Sequence, residues 1–267
     1  MASATERPSP FSATAFAGRT AIVAGGANGI GQSIVRRLAE HGCAVAIFDR
    51  DLEAAQKLRQ SIDQNGGSAW AYEVDIVDKA SVDGAVAELV EVTSSIDFLV
   101  NSAGVVIGGA LDQIEPADWR RSFAVNVEGA LFLSQALKVH LARSDAASIV
   151  HIASLAGRLA YPGGGGYGPS KAALISLSHQ LAVEWAPLGI RVNVLTPGTT
   201  LTPLVRRVHS PESIADRARA TPLGRLVDPD EVALAACFLL SSAASAVTAQ
   251  FLDVDCGMSQ SLVRPAR

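Results

Sequence analysis

The stretch TAIVAGGANGIGQSIVRRL, residues 20–38, joins an apolar segment, a glycine-rich turn and an amphipathic segment without interruption. The residues before Gly25 show no polar alternation, which is typical of a buried strand, and the apolar spacing after Gly29 predicts a helix. Gly25 allows a tight turn, Gly29 lets a pyrophosphate approach the backbone, and Gly31 lets the helix pack closely on the strand. The first N–H groups of such a helix attract anions.

The glycine spacing is G-x-x-x-G-x-G, one residue wider than the usual dinucleotide fingerprint. Because a glycine cluster alone also fits an ordinary structural turn, the flanking strand and helix support the dinucleotide interpretation. Asp49 follows at the end of the second predicted strand. A carboxylate there accepts both ribose hydroxyls and repels a 2′-phosphate, so we predict NAD rather than NADP. The alternatives are a solvated Asp49 and a 2′-phosphate bound by Arg50.

Predicted strands and helices alternate along the rest of the chain without a linker of changed composition. Because the strands are apolar throughout and helices separate them, we expect a parallel sheet that is covered on both faces. The sequence predicts an α/β fold, a Rossmann-like doubly wound parallel sheet of about seven strands. It forms a single domain over 18–267, after a loose, flexible N-terminal arm over 1–17. The predicted strands cover 20–25, 43–49, 68–74, 96–101, 148–153, 190–195 and 250–255, and the predicted helices cover 29–41, 52–64, 82–92, 116–141, 168–185 and 229–240.

The composition excludes several classes of protein. Of 267 residues, 49% are hydrophobic and 18% are charged, which excludes an intrinsically disordered chain. The formal net charge of −4 predicts no nucleic-acid partner, and the lack of an apolar run of about 18 residues predicts no membrane span. Three irregularly spaced cysteines, Cys43, Cys237 and Cys256, indicate reduced thiols in the cytoplasm. The five histidines form no ligand motif, so no metal is expected.

Ser154, Tyr167 and Lys171 form a candidate proton-transfer site. Ser154 ends the fifth predicted strand, Tyr167 opens the next helix, and Lys171 lies on the same helix face one turn later. A phenol with a pKa near 10 is a poor base at neutral pH, but a neighbouring ammonium group stabilises its phenolate. With Ser154 beside it, this pair suits proton transfer in alcohol–ketone chemistry. The alternative, a chance pair on a helix surface, is rare in a chain with only four lysines.

Further motifs occur in a characteristic order along the chain. They are GGANGIG (25–31), Asp75-Ile76, NSAG (101–104), Asn126 in VNVEG, Ser154, YGPSK (167–171), PG (197–198) and DVDCGMS (253–259). In these motifs the chain resembles single-domain members of the short-chain dehydrogenase/reductase family, from about Phe16 to Met258. Three positions depart from the family pattern, because Ala24 replaces Thr, Cys256 replaces Gly, and Thr200 replaces an aliphatic residue.

The resemblance implies a role for each matching residue. Tyr167 is expected to be the catalytic acid/base, and Lys171 to lower its pKa and hold the nicotinamide ribose. Ser154 is expected to position the substrate oxygen, and Asn126 to support a water that leads from Lys171 towards solvent. Asn126 also has a simpler interpretation, as an amide that satisfies backbone groups at an irregular point of a helix. The implied cofactor-binding residues are Gly25, Asn28, Gly29, Ile30, Asp49, Asp75, Ile76, Asn101, Ala103, Gly104, Tyr167, Lys171, Pro197, Gly198, Thr200 and Thr202.

The reaction implied by these residues is the reversible NAD-linked oxidation of a secondary alcohol to a ketone, without a metal. We expect a small-molecule alcohol or ketone as substrate, and favour a polyol or sugar alcohol because NAD favours oxidation. A 3-oxoacyl-thioester reductase is the alternative within the family. A non-catalytic dinucleotide-binding regulator is the alternative from a different class, although it would predict a damaged Tyr–Lys pair.

The substrate pocket is expected beneath the segment 203–221. The resemblance also implies a homo-oligomer, a tetramer or a dimer, formed through the helices at 116–141 and 168–185. Arg158 is interpreted as an exposed residue, with the alternative of binding a substrate anion. The expected pocket walls are Val105, Val106, Leu155, Tyr161 and 163–166.

Overall fold

The computed structural model describes residues 9–261, and a seven-stranded sheet forms its centre. The strands are β1 Thr20–Ala24, β2 Ala44–Asp49, β3 Ser68–Glu73, β4 Phe98–Asn101, β5 Ser148–Ile152, β6 Arg191–Pro197 and β7 Phe251–Val254. All neighbours pair in parallel, in the order β3-β2-β1-β4-β5-β6-β7. The order reverses between β1 and β4, and the carboxyl ends of strands at such a point form a crevice for ligands. The predicted Rossmann-like single domain is confirmed.

Helices cover both faces of this sheet. Two adjacent residues of β4 point to opposite faces of the sheet. Val100 packs in one buried cluster with Ile34, and Leu99 packs in another with Leu133. The first cluster lies under α1, α2 and α9, and the second under α3, α5 and α6. The helices are α1 Gly29–Glu40, α2 Leu52–Gln64, α3 Lys79–Val90, α4 Pro116–Phe123, α5 Gly129–Leu141, α6 Tyr167–Trp185, α7 Pro203–Val208, α8 Pro211–Arg219 and α9 Pro229–Leu240. None of the helices within residues 9–261 has the length and apolar character that a membrane crossing requires.

The helices differ from the predicted ones in two places. The single helix predicted over 116–141 is divided into α4 and α5 by a π-helical turn at Ala124–Glu128. The short helices α7 and α8 were not predicted. Each begins with a proline that follows a capping residue. The Thr202 side chain accepts a hydrogen bond from the amide of Val205, and the Ser210 side chain accepts one from the amide of Ser213.

Within the segment predicted as a loose arm over 1–17, Phe16 packs against the domain. Phe16 is 2% exposed, its ring meets the Phe98 ring edge-on at 5.7 Å, and its amide donates to the carbonyl of His41 at 2.9 Å. The His41 ring also hydrogen-bonds Ser9 Oγ at 2.7 Å. Burial of the aromatic rings ties this segment to the end of α1, whereas residues 1–8 lie outside the described part of the chain.

Candidate active site

The turn between β1 and α1 requires its glycines. Gly25 has φ +67°, and a Cβ on it would lie 2.6 Å from the amide nitrogen of Ala103. A Cβ on Gly31 would lie 2.0 Å from the carbonyl oxygen of Gly25. Gly29 also has a positive φ, +57°, and sits next to the methyl group of Thr202. The turn therefore brings two predicted cofactor segments, 101–104 and 197–202, against the start of α1.

The start of α1 leaves backbone N–H groups available to an anion. Asn28 is the N-cap residue and makes no side-chain capping hydrogen bond among the described residues, and the first turn, which holds Ile30, carries no acidic side chain. The end of β1 is tied to its neighbours by backbone alone, because Gly25 N–H donates to the Phe48 carbonyl and Ser102 N–H donates to the Ala24 carbonyl, both at 2.8 Å. The missing hydroxyl at Ala24 thus leaves these backbone connections in place.

Asp49 is oriented towards the same turn. One carboxylate oxygen accepts the Ala27 N–H at 3.0 Å, and the other accepts the Asp51 N–H at 3.1 Å. Two backbone donors therefore hold the carboxylate beside the glycine turn, with further lone pairs left to accept hydroxyl donors.

The end of β4 brings the NSAG segment to the centre of the site. Asn101 accepts the Ala103 N–H through Oδ1 at 3.2 Å, while its buried Nδ2 has no acceptor within residues 9–261. A Cβ on Gly104 would lie 3.1 Å from both Asn126 Oδ1 and Lys171 Nζ. Gly104 thus packs directly against two of the four predicted catalytic residues.

Asn126 lies in the π-helical turn and is fully buried. Its Oδ1 accepts the Val105 N–H at 2.9 Å, and its Nδ2 donates to the Val105 carbonyl at 3.1 Å and to Ser170 Oγ at 2.9 Å. The amide therefore satisfies backbone groups of Val105 on another segment, rather than groups of the irregular helix in which it lies. These bonds also fix the chain after β4 against α6, the helix that carries Tyr167 and Lys171.

Ser154, Tyr167 and Lys171 meet at the carboxyl end of β5. Ser154 Oγ accepts the Ala156 N–H at 3.1 Å, and the Ser154 hydroxyl is near enough to Tyr167 to lower the pKa of the phenol. Lys171 is 4% exposed, donates to the Ile152 carbonyl at 2.8 Å, and has its Nζ 5.9 Å from the centroid of the Tyr167 ring. The predicted proton-transfer residues are thus adjacent in space.

Burial controls the titration of these groups. Desolvation raises the pKa of Tyr167, which the Ser154 hydroxyl lowers in part and the nearby Tyr161 raises further. Desolvation lowers the pKa of Lys171 to about 8. The net shift of the Tyr167 pKa is therefore upward rather than downward, because removal from water favours the neutral phenol more than its surroundings favour the phenolate.

The remaining predicted cofactor residues border the same edge of the sheet. Asp75 forms a turn by accepting the Val77 N–H at 3.2 Å, and Ile76 packs on Gly129, where a Cβ would lie 2.6 Å from the Ile76 side chain. Pro197 ends β6, and Gly198 packs on the backbone of Asp255. Beyond them, Thr200 is buried and donates to the Gly198 carbonyl, and Thr202 caps α7.

The walls near Tyr167 are partly apolar. Val106 and Tyr161 are about half exposed, Leu155 is buried, and the Tyr161 ring meets the Tyr167 ring edge-on at 6.4 Å. Gly109 and Gly164 form a single β-bridge that joins the loops after β4 and β5. These loops flank the ring of Tyr167, and Arg158 lines the same pocket as Tyr161.

Two polar residues near the site were not predicted to matter. His151 on β5 is fully buried beside Lys171 and packs within the sheet without a hydrogen-bond partner among the described residues. Arg158, expected to be exposed or to bind an anion, forms an ion pair with Asp253 and stacks on Phe251. The sequence offers no signal for these contacts of Arg158, since Phe251 and Asp253 lie far from it along the chain.

The residues present fit a nicotinamide dinucleotide. Backbone crowding at Gly25 and Gly31 excludes side chains from the turn, and the buried amine of Lys171 hydrogen-bonds a single carbonyl among the described residues, which leaves donors for ribose hydroxyls. The orphaned Asn101 Nδ2 is a further buried donor at the same edge. No group of three or more His, Cys, Asp or Glu side chains that could hold a metal occurs within residues 9–261.

Comparison with known proteins identifies the family. A family model described as enoyl-(acyl carrier protein) reductase matches residues 25–259, which is most of the chain. The chain belongs to the short-chain dehydrogenase/reductase family. It is accordingly an oxidoreductase that acts on CH–OH groups with a nicotinamide dinucleotide.

Individual relatives cover nearly the whole chain. The 2,5-dichloro-2,5-cyclohexadiene-1,4-diol dehydrogenase of Sphingobium indicum is 34% identical over 92% of this chain and 98% of that protein. The NAD-dependent glycerol dehydrogenase of Listeria innocua is 33% identical over 90% of this chain and 93% of that protein. A solved 3-oxoacyl-[acyl-carrier protein] reductase from Brucella melitensis with bound NAD is 30% identical, has a TM-score of 0.85, and covers 93% of this chain and 94% of its own.

Proposed function

We propose that this protein is a cytoplasmic, NAD-dependent dehydrogenase that oxidises a secondary alcohol to a ketone, with a polyol or sugar alcohol as the favoured substrate class. The observation that carries the proposal is the convergence of Ser154, Tyr167 and the buried amine of Lys171 after β5, where Lys171 Nζ lies 5.9 Å from the centroid of the Tyr167 ring. A phenol with a hydroxyl donor on one side and an amine on the other suits proton transfer at an alcohol oxygen.

In the proposed mechanism, Tyr167 as phenolate accepts the proton of the substrate hydroxyl. Ser154 holds the substrate oxygen beside the phenol, and Lys171 contributes positive charge that favours the phenolate. The dinucleotide, when bound, supplies the hydride acceptor for the same carbon. In the reverse direction Tyr167 donates its proton to the ketone oxygen. Asn126 supports the site by fixing the chain at Val105 against α6.

The preference for NAD over NADP is proposed from Asp49. Its carboxylate is held beside the glycine turn by the N–H groups of Ala27 and Asp51, where a 2′-phosphate would meet a negative charge. The residues proposed to hold the rest of the dinucleotide are those described above at the ends of β1, β3, β4 and β6, together with Asn28 and Ile30 at the start of α1. Lys171 is proposed to hold the nicotinamide ribose.

The substrate class is supported by two relatives whose names specify a cyclic diol and glycerol. A 3-oxoacyl-thioester reductase is the second candidate, since a relative of that activity has the same fold and carries bound NAD. An acyl thioester has an acyl chain attached to a bulky carrier, whereas a polyol is small and rich in hydroxyl groups, so one substrate panel separates the two.

We also propose a homo-oligomer, either a tetramer or a dimer. Val139 on α5 and Val183 on α6 are large apolar side chains exposed on helices that the family resemblance associates with subunit contacts. Light scattering on the purified protein tests this, and a monomer would contradict it.

The function is tested by following reduction of NAD and NADP with polyols, hydroxyacids, steroid alcohols and 3-hydroxyacyl thioesters. We expect turnover with NAD and a polyol, and loss of turnover in Tyr167→Phe while NADH binding is retained. Tyr161→Phe is the matched control, because it removes a hydroxyl from the neighbouring ring without touching the proposed acid/base. Retained turnover in Tyr167→Phe would sink the mechanism, and turnover confined to thioesters would favour the second candidate.

A further inference from the structure

Apart from the residues assigned so far, the carboxylate of Asp253 on β7 collects donors from three separate parts of the chain. Arg158 forms an ion pair with its Oδ2, Thr196 donates a hydroxyl to its Oδ1, and Ser259 Oγ donates to its Oδ2 at 3.1 Å. We call these four residues the Asp253 cluster. The Arg158 and Asp253 side chains are only 25% and 18% exposed, so solvent screens the ion pair less than a fully exposed one.

Arg158 fixes the turn that carries Ser154. A short 3₁₀ helix, Leu155–Gly157, follows Ser154, and the Ala156 N–H holds Ser154 Oγ at 3.1 Å. The backbone N–H of Arg158 closes this turn by donating to the Leu155 carbonyl at 2.9 Å. The guanidinium group lies 4.2 Å from the centroid of the Phe251 ring on β7. The side chain is therefore held by both charge and stacking.

The opposite side of the same turn rests on α6. A Cβ on Gly157 would lie 2.7 Å from the carbonyl carbon of Lys171, and a Cβ on Gly168 would lie 2.8 Å from the Ala156 carbonyl oxygen. The turn is thus confined between the backbone of α6 and the ion pair to β7. Because α6 carries Tyr167 and Lys171, loss of the ion pair frees the turn on its β7 side while the α6 side stays packed.

The other end of the cluster meets the segment after β6. Thr196 is the register partner of Asp253 and directly precedes Pro197-Gly198. The Gly198 N–H donates to the carbonyl of Val254 at 2.9 Å. One carboxylate therefore joins the Ser154 turn to the strand that leads into the proposed cofactor-covering segment.

We propose that Arg158 and Asp253 are positioning residues, which hold Ser154 beside Tyr167. This inference rests on the proposed function, because it assigns work to Ser154 only as the partner of a reacting phenol. The Ser154 hydroxyl lowers the pKa of Tyr167, so a displaced Ser154 leaves the phenolate less stable and raises that pKa. The other titratable groups around the phenol are Lys171 and Tyr161, with His151 beside Lys171, and the test variants leave all three unchanged.

The test variants break the ion pair with little change of shape. Arg158→Met keeps an apolar stem over Phe251 but removes the charge, and Asp253→Asn keeps an oxygen that accepts from Thr196 or Ser259. Arg158→Lys is the rescue variant, because only Nη1 of Arg158 takes part in the ion pair. Arg59→Met is the matched control, since Arg59 pairs with Asp63 on the exposed face of α2.

We expect Arg158→Met and Asp253→Asn each to lower kcat for alcohol oxidation about tenfold, with KM for NAD changed less than about twofold. The acidic limb of the kcat profile should move upward by about half a pH unit in both, and Arg158→Lys should restore both values. The proposal is overturned if Arg158→Met and Asp253→Asn have the same kcat and the same acidic limb of the pH profile as Arg59→Met. It is also overturned if kcat falls in both variants but the acidic limb does not move. Circular dichroism and NADH titration show whether Arg158→Met folds. If it does not, the kcat and pH profile of Asp253→Asn test the proposal. Retained turnover in Tyr167→Phe would instead overturn the proposed function.

Discussion

Lys171 Nζ lies 5.9 Å from the centroid of the Tyr167 ring and donates its hydrogen bond to the Ile152 carbonyl at 2.8 Å. The two groups are close enough to influence each other electrostatically, yet both are removed from water. Burial raises the pKa of Tyr167 and lowers the pKa of Lys171 to about 8. The protein without cofactor therefore favours a neutral phenol at pH 7.

This arrangement predicts opposite pH dependences for the two directions of the reaction. Oxidation requires the phenolate, so kcat/KM for the alcohol should rise by up to about tenfold per pH unit on the acidic side of the profile. Reduction requires the phenol, so kcat/KM for the ketone should fall as the phenol ionises at alkaline pH. The measurement is a pair of kcat/KM profiles between pH 6 and 10.

Lys171→Met separates the contribution of the amine to these profiles. Loss of the positive charge should move the acidic limb for oxidation upward and lower kcat/KM by about 100-fold at pH 8. Lys57→Met is the control, because Lys57 pairs with Glu53 on an exposed helix face. A flat wild-type profile for oxidation from pH 6 to 10 would contradict the proposed role of Tyr167.

Asp49 predicts the cofactor preference. Asp49→Ala removes the negative charge that a 2′-phosphate would meet, so the ratio of kcat/KM for NADP to kcat/KM for NAD should rise at least about tenfold. NAD itself should bind less well, since the carboxylate no longer orients the Ala27 N–H. Initial rates at saturating alcohol measure both constants.

The control for this change is Asp51→Ala, two residues further on. Asp51 caps α2 by accepting the Ala54 N–H and does not face the glycine turn through its side chain. This variant should lose some stability but keep the cofactor ratio of the wild type. An unchanged ratio in Asp49→Ala would remove Asp49 from its proposed role.

The sequence predicted those parts of the fold that local pattern determines. The apolar strands and the helices α2 and α9 have the predicted positions within a few residues, because burial on both sheet faces leaves an unbroken apolar signal. The glycine turn was also predictable, since backbone crowding at Gly25 and Gly31 tolerates no other residue. Helices α7 and α8 also carry a sequence signal for a helix start, in the pairs Thr202-Pro203 and Ser210-Pro211.

Contacts between distant segments could not be predicted in the same way. The π-helical turn holds Asn126, whose hydrogen bonds reach Val105 on another segment, and no local propensity encodes that pairing. The ion pair of Arg158 with Asp253 joins residues on separate elements, so the sequence could only suggest an exposed arginine or one that binds a substrate anion. The direction of the Tyr167 shift likewise depends on burial, which the four-residue spacing to Lys171 does not reveal.

The glycine turn predicts a steric effect on binding. In Gly31→Ala the new Cβ would meet the Gly25 carbonyl oxygen at 2.0 Å, so the turn must move away from its present position. We expect a loss of about 1–3 kcal/mol in the free energy of unfolding and NADH binding weakened about tenfold or more. Denaturant titration and NADH fluorescence measure the two effects.

Gly84→Ala provides the matched control for a new methyl group. Gly84 lies inside α3, and a Cβ there would meet no atom within 4 Å. This change should stabilise the protein by up to about 1 kcal/mol, through higher helix propensity, and leave NADH binding unchanged. Wild-type NADH affinity in Gly31→Ala would show that the turn does not need its third glycine.

His151 lies in the middle of the sheet, where burial of its imidazole affects the stability of the fold. It is the register partner of Asn101, and neither of its ring nitrogens has a hydrogen-bond partner within residues 9–261. Burial, together with the charge of Lys171, lowers the pKa of His151 to about 3. The folded protein therefore keeps this imidazole neutral in a range where an unfolded chain protonates it.

The sign of the resulting pH effect follows from linkage. Below about pH 6.5 the unfolded state takes up a proton at His151 and the folded state does not, so stability falls by up to about 1.4 kcal/mol per pH unit as pH drops towards 3. In His151→Leu this part of the acid destabilisation should vanish, and the free energy of unfolding at pH 7 should rise by about 1 kcal/mol, because unpaired buried nitrogens are removed. Urea titrations at pH 7, 6 and 5 measure both changes, with His209→Leu at the end of α7 as the control for loss of an imidazole. Equal pH slopes in His151→Leu and wild type would mean that His151 is not held neutral by the fold.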